Sequence, residues 1–293
     1  MIPEHVMREL RYIEVYTGKR IRNLRVGPYT SPQRGPGFDF DEHQPYRQGD
    51  DVRRIDWNVT ARMGAPYVRH THAERELNVM IAIDVSHSME LGTAGRSKKE
   101  LMMLITGSLL FSAVSDQINT GFLAFSDRVV EYRPPRRTRA AAWSVLERCW
   151  ALSPQPGATA LRPAIRHLLK TLARMSIVFI VSDFISDDDL FGGPELTMLA
   201  AKHDVIAVVP QDPTEAALPA GRGYVQVRDL ESGRQTAVSL SPRTRRAYAG
   251  EMRERRDALA RAFYRVPMDH VFVPTDGNPI EPLLSLFAAR MAR

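Results

Sequence analysis

The string Asp84-Val85-Ser86-His87-Ser88 sets one carboxylate and two hydroxyls at alternate positions. Alternate side chains of an extended turn face the same way. Asp84, Ser86 and Ser88 are therefore expected to present their oxygens to one point. Hard oxygen donors of this kind suit Mg²⁺ or Mn²⁺ and suit zinc or copper poorly. Thr159, which follows Gly157-Ala158, supplies another hydroxyl, and Asp183 another carboxylate just past an apolar run. Taken singly, Asp84, Ser86 or Asp183 would serve equally well as a helix cap. Five oxygen-bearing residues, Asp84, Ser86, Ser88, Thr159 and Asp183, at one sheet edge favour a single metal site over isolated caps.

The elements that must hold these loops are legible as short apolar runs. Val79–Ile83, Gly121–Phe125, Ile177–Val181 and Val205–Val209 read as strands buried on both faces. Helical stretches separate them: Lys98–Ser115, Thr138–Trp150, Ala160–Ala173 and Glu195–His203. Leu161, Ile165, Leu168, Leu169 and Leu172 recur at helical spacing, which makes the third of these amphipathic. Val129–Arg133 is expected as an edge strand and Gly223–Val227 as a hairpin with Thr236–Leu240. A long helix Arg243–Tyr264, a strand His270–Val273 and a closing helix Pro279–Met291 complete the chain. Strands alternating with helices predict an α/β fold, a Rossmann-type, mainly parallel sheet with helices on both faces. Ligands of such sheets bind beyond the carboxyl ends of the strands, where the five residues fall.

The first 77 residues read differently. Pro28, Pro32, Pro36 and Pro45, with Gly27, Gly35, Gly37 and Gly49, are too dense for long helices or central strands. An opening helix over Pro3–Tyr16 and an extended stretch Pro66–His72 are expected within an otherwise irregular segment. The division is thus an N-terminal segment, 1–77, packed on an α/β domain, 78–293.

Asp-x-Ser-x-Ser with a distant Thr and a distant Asp resembles the metal-ion-dependent adhesion site (MIDAS) of von Willebrand factor A-like domains. That resemblance implies direct or water-mediated metal contacts from Asp84, Ser86, Ser88 and Thr159, with Asp183 acting mostly through water. The string Tyr46-Arg47-Gln48-Gly49-Asp50-Asp51-Val52-Arg53-Arg54-Ile55-Asp56-Trp57, followed by Thr60-Ala61-Arg62 and Glu74, resembles the signature of the bacterial family called domain of unknown function 58. Gln44 departs from it, since relatives usually carry Arg there. In this segment Asp50, Asp51, Arg53, Arg54, Asp56 and Arg62 read as paired charges, with Ile55 and Trp57 as apolar anchors.

Composition narrows the remaining readings. The 293 residues hold 44% hydrophobic and 25% charged residues, an ordinary globular balance. The single cysteine, Cys149, excludes an internal disulfide. No apolar run reaches the ~20 residues of a membrane span, and no secretory leader is visible, so a cytoplasmic protein is expected. The net charge of +6 gathers in Arg136, Arg137 and Arg139 and in Arg243, Arg245, Arg246, Arg253, Arg255 and Arg256. Glu251, Glu254 and Asp257 interleave the second cluster, which points to a solvated helix face rather than nucleic-acid binding. His70, His72 and Glu74 share a strand face but lack a fourth ligand for zinc. Asp187-Asp188-Asp189 is expected to open a helix. His87 alternates away from both serines, and no nucleophile elbow is present.

The function expected is non-enzymatic: a metal-dependent protein-interaction module whose ion accepts a partner's carboxylate. The family resemblance implies a MoxR-type AAA+ ATPase as partner and an adaptor or chaperone role. A metal-dependent phosphohydrolase, which needs a general base or second metal, and a nucleic-acid or membrane-surface binder through the arginines are the alternatives.

Overall fold

The apolar runs pair, as expected, into one sheet. The computed structural model describes residues 2–20, 34–48, 50–72, 77–93, 95–137, 139–152, 159–186, 188–228 and 235–292. By contacts the chain divides into two units, residues 1–25 with 77–293, and residues 26–76.

The larger unit opens with α1 (Glu4–Arg20). After the smaller unit come β3 (Asn78–Asp84), α3 (Lys98–Ser115), β4 (Asn119–Phe125), β5 (Val129–Arg136) and α4 (Arg139–Ala151). Next are α5 (Arg162–Thr171), β6 (Ser176–Val181), α6 (Glu195–Lys202), β7 (Asp204–Gln211) and the one-turn α7 (Pro213–Ala216). The hairpin β8 (Tyr224–Arg228) and β9 (Gln235–Ser239), then α8 (Pro242–Arg265), β10 (Asp269–Pro274) and α9 (Glu281–Met291), complete the unit. The smaller unit holds β1 (Arg34–Pro45), α2 (Trp57–Met63) and β2 (Tyr67–His72).

Among the described residues six strands form the main sheet in the order β10-β7-β6-β3-β4-β5. All neighbours are parallel except β4 and β5, which run antiparallel at one edge. One face carries α5, α6 and the end of α8. There the apolar stripe of Leu161, Ile165 and Leu168 joins Ala82, Val178 and Ala207 in one buried cluster. The opposite face meets α3, which contacts β3, β4 and β7, and α9, where Phe287 meets Phe179 edge-on at 6.3 Å. Strands covered on both faces need apolar residues at every position, which is why β3, β4, β6 and β7 are continuous apolar runs.

The chain leaves β3 toward β4 on one side, and leaves β6 toward β7 on the other. The carboxyl ends of β3 and β6 therefore flank the point where the winding reverses, the place where open α/β sheets form a ligand crevice. Asp84 ends β3, and Asp183 lies two residues beyond β6.

Two expectations for the first 77 residues change. The opening helix is longer than Pro3–Tyr16 and groups with the α/β unit. It buries Val6, Leu10 and Ile13 and packs along α3. A Cβ on Gly107 of α3 would lie 2.4 Å from the Leu10 Cδ2, so a larger residue there would force the Leu10 side chain out of its present seat. The second change is β1, a twelve-residue strand through Pro36 and Pro45 in a stretch expected to be irregular and without central strands. Among the described residues it pairs antiparallel with β2 alone, with two irregularities of register. In a two-stranded sheet both strands are edges, where a proline's missing N–H removes little.

Within the smaller unit Asp56 caps α2 by accepting from Asn58 N at 3.0 Å and Val59 N at 3.2 Å. Asp50 accepts from Arg47 N at 2.7 Å and Asp51 from Arg53 N at 3.0 Å. Asp50, Asp51 and Asp56, expected as partners of arginine side chains, thus each accept from backbone N–H groups, and Asp56 also pairs with His43. Trp57, expected as an apolar anchor, is 68% exposed, and Ile55 is half-buried.

Candidate metal centre

The loop after β3 builds the first half of the site. Ser86 is extended, and the chain then curls into a short 3-10 helix, His87–Glu90. The hydroxyls of Ser86 and Ser88 meet at 3.0 Å. Their convergence was expected from alternation along an extended turn; the 3-10 curl produces it instead, closed by Met89 N donating to Ser86 O. Ser86 stands at the N-cap of that helix yet makes no side-chain cap hydrogen bond, so its hydroxyl is not committed to capping.

Asp84 is fully buried. Its Oδ1 accepts from Ser86 N at 2.9 Å, a turn that bends the carboxylate over the serines. Its Oδ2 accepts from the Ser182 hydroxyl at 2.6 Å. Among the described residues no cationic side chain pairs with it. Burial, and then the charge of Asp183, push the Asp84 carboxyl up to about 7. A buried carboxylate facing two hydroxyls, without a cationic side chain to balance it, has the chemistry of a cation ligand.

The loop after β6 builds the second half. Asp183 Oδ1 accepts from Ile185 N at 3.0 Å, the same turn that Asp84 makes. Its Oδ2 accepts from the Lys98 ammonium at 3.0 Å. Lys98 opens α3, is completely buried, and donates also to Glu215 of α7. Burial opposes the ammonium, but Asp183 and Glu215 outweigh it and hold the Lys98 pKa above its ordinary value. Burial raises Glu215 against the pull of Lys98.

The third loop carries Thr159, fully buried. Its carbonyl accepts from the Ser186 hydroxyl at 3.3 Å, and the adjacent Ala160 N donates to Ser126 O at 2.8 Å. Thr159 is thereby stitched between the loops that follow β6 and β4. Hydrogen bonds tie Asp84 to Ser86 and to Ser182, and Ser86 to Ser88. Asp183 follows Ser182 directly in the chain, and Thr159 reaches the same edge through Ser186. The donor set fits a hard divalent cation: hydroxyls and one uncompensated carboxylate. Asp183, held by Lys98, fits a water-mediated position better than a direct one.

Several contributors are not visible in the residue pattern. Ser182 orients Asp84 and accepts from Phe184 N at 3.0 Å. Asp212 accepts from Thr93 N at 2.8 Å and Thr214 N at 2.9 Å, fixing α7 and with it Glu215. Lys98 carried one usable signal. A lysine in the first turn of a helix opposes the dipole, so its presence implies carboxylates nearby.

The acidic run past β6 has a different role from the one expected. Asp188 accepts from Arg162 N at 2.6 Å, the first amide of α5. Asp189 accepts from Gly192 N at 3.0 Å in a turn. These carboxylates do not open a helix of their own, since α6 starts at Glu195; Asp187 lies outside the described residues. The side chains of His70, His72 and Glu74, considered for zinc, also lie outside them. Among the described residues no three His, Cys, Asp or Glu side chains gather as a metal cluster, so a metal here depends on the hydroxyls. On α8 Arg243, Arg246, Arg253, Arg255 and Arg256 are exposed beside exposed Glu251, Glu254 and Asp257. A cleft of about 560 Å³ adjoins the site, running from Asp183 and Glu215 past Val238 and Met252 to Arg255 and Phe272.

A family profile described as protein of unknown function DUF58 matches residues 42–258. The chain belongs to the DUF58 family. That is the membership expected from the Tyr46–Trp57 string. Uncharacterized proteins of Mycobacterium tuberculosis (strain H37Rv) and Mycobacterium bovis are each 30% identical over 284 residues, covering 96% of this DUF58 chain and 88% of theirs. Among solved structures, BatB from Bacteroides thetaiotaomicron is similar at 17% identity and TM-score 0.45, over 74% of this chain and 98% of that one. The SpRpn10 VWA domain is similar at 13% identity and TM-score 0.42, over 71% and 93%. A von Willebrand factor type A protein from Catenulispora acidiphila is similar at 13% identity and TM-score 0.39, over 75% and 43%. The DUF58 chain has the α/β architecture expected, a mainly parallel sheet with helices on both faces. Among its described residues no helix is long and apolar enough to cross a membrane.

Proposed function

We propose that this chain is a metal-dependent protein-interaction module. Asp84, Ser86, Ser88 and Thr159 hold one Mg²⁺ or Mn²⁺, and Asp183 contributes through water. The ion would supply a Lewis-acidic position for the carboxylate of a partner protein, a charge-assisted contact that requires the metal. The observation that carries the reading is the Ser86–Ser88 hydroxyl pair at 3.0 Å beside a buried Asp84 that no cationic side chain of the described residues neutralises. DUF58 membership and the crevice at the β3–β6 reversal support it. The cleft beside Asp183 offers area for the residues flanking the partner's carboxylate.

The partner we propose is a MoxR-type AAA+ ATPase of the same cell, with this chain as its adaptor or chaperone component. The test has two stages. Mn²⁺ titration followed by electron paramagnetic resonance should give one bound ion in the wild-type chain and none in Asp84→Asn. Capture of the purified ATPase should then require Mg²⁺ and be lost in chelator. Undiminished capture by Asp84→Asn would exclude recognition through the metal.

A further inference from the structure

Asp84 and Asp183 make the same turn with their first oxygens and differ in what the second oxygen holds. For Asp84 it is a neutral hydroxyl; for Asp183 it is the ammonium of Lys98. Lys98 sits where neither helix nor core favours it. The first turn of α3 repels a positive charge, and full burial costs more unless the charge is paired. The α3 terminus is already capped without it, because Ser97 accepts from Glu100 N and Glu100 accepts from Ser97 N. Two of the three ammonium protons go to Asp183, on the loop after β6, and to Glu215 of α7, 85 and 117 residues away. The lysine thus serves the loop cluster rather than its own helix.

We propose that Lys98 is a resident counter-cation that withholds Asp183 from the bound metal, so that Asp84 is the one carboxylate the ion can use directly. This rests on the metal site proposed above. The consequence is a weakly held ion with a strong demand for a further anionic ligand. Asp84, Asp183, Glu215 and Lys98 together carry a formal charge of two negatives, which a divalent cation cancels. Without the lysine the loaded site would stay negative and repel an incoming carboxylate. Lys98 therefore trades affinity for the metal against affinity for the partner.

The experiment is Mn²⁺ titration of the full chain, read as free Mn²⁺ by electron paramagnetic resonance, with circular dichroism confirming the fold. Lys98→Met should bind Mn²⁺ roughly a hundred to a thousand times more tightly than wild type, the effect of freeing one charge about 4–6 Å away at an effective dielectric constant near ~20. Adding Asp183→Asn to Lys98→Met should reverse that gain. Folded Lys98→Met that binds no more tightly than wild type overturns the proposal while leaving the metal site intact. Absence of Mn²⁺ binding in every chain overturns both. Should Lys98→Met not fold, the neutral pair Lys98→Met/Asp183→Asn decides. Affinity within about tenfold of wild type supports withheld Asp183, and a larger loss shows Asp183 to be a direct ligand.

Discussion

Asp84 and Asp183 follow neighbouring strands, lie on the same crevice and bend their carboxylates through identical local turns. Their charges are treated in opposite ways. Asp183 is given an ammonium by the chain, while Asp84 is buried with a hydroxyl and backbone amide for company. A third aspartate extends the series. Asp56 makes a capping turn with one oxygen and takes the His43 Nε2 at 2.9 Å with the other, with its side chain 26% exposed. One backbone device, the carboxylate folded onto the amide two residues ahead, thus recurs in three electrostatic settings. The setting, not the turn, decides what each carboxylate can do.

The comparison can be broken most directly at Lys98. In chelator, Lys98→Met leaves a buried Asp183 and a half-buried Glu215 without a counter-charge, and should cost about 3–5 kcal/mol in urea unfolding. Stability equal to wild type would mean that Asp183 does not depend on the ammonium. Asp84 should respond to pH instead. Its folded pKa, about 7, lies above the ordinary carboxylate value of 3.8, so the folded chain binds the proton more tightly than the unfolded one. The associated stability is full below the unfolded value and is lost as pH rises through the folded one. In chelator the loss should be roughly 2–3 kcal/mol between about pH 5 and pH 8. Asp84→Asn should remove this slope, and added Mg²⁺ should reduce it in the wild-type chain. The smallest effect belongs to Asp56. Asp56→Ala should cost about 1 kcal/mol, the usual worth of an N-cap, and be seen as faster hydrogen exchange at Thr60 and Arg62 of α2. Unchanged exchange there would remove Asp56 from the series.

The sheet was legible because burial on both faces leaves its strands no room for polar residues: Val79–Ile83 and Ile177–Val181 announce themselves by composition alone. Asp84, Ser86, Ser88 and Asp183 were legible for a related reason. They lie among the first polar residues after those runs, and the fold puts strand ends together. Glu215 was not, because its meaning lies in pairing across a long stretch of chain that no local pattern records, and Lys98 showed only in its unfavourable place at the first turn of α3. The curl at His87–Glu90 was also hidden. Alternation and a tight turn both bring Ser86 and Ser88 together, so the right neighbours followed from the wrong local geometry. In the smaller unit the density of proline and glycine excluded long helices and central strands, and β1, paired with β2 in a two-stranded sheet, is neither, so its length was not legible in composition.

The seat that Gly107 leaves for Leu10 has a practical corollary. The stretch shared with the DUF58 profile runs from residue 42 to 258, stopping inside α8 and leaving out α1, β10 and α9. A fragment trimmed to those limits would retain every oxygen-bearing loop but uncover the apolar flank of α3 and strip the outer neighbour from β7. Such a fragment is expected to precipitate, and its failure to take up Mn²⁺ would report on lost scaffolding rather than on the chemistry of Asp84.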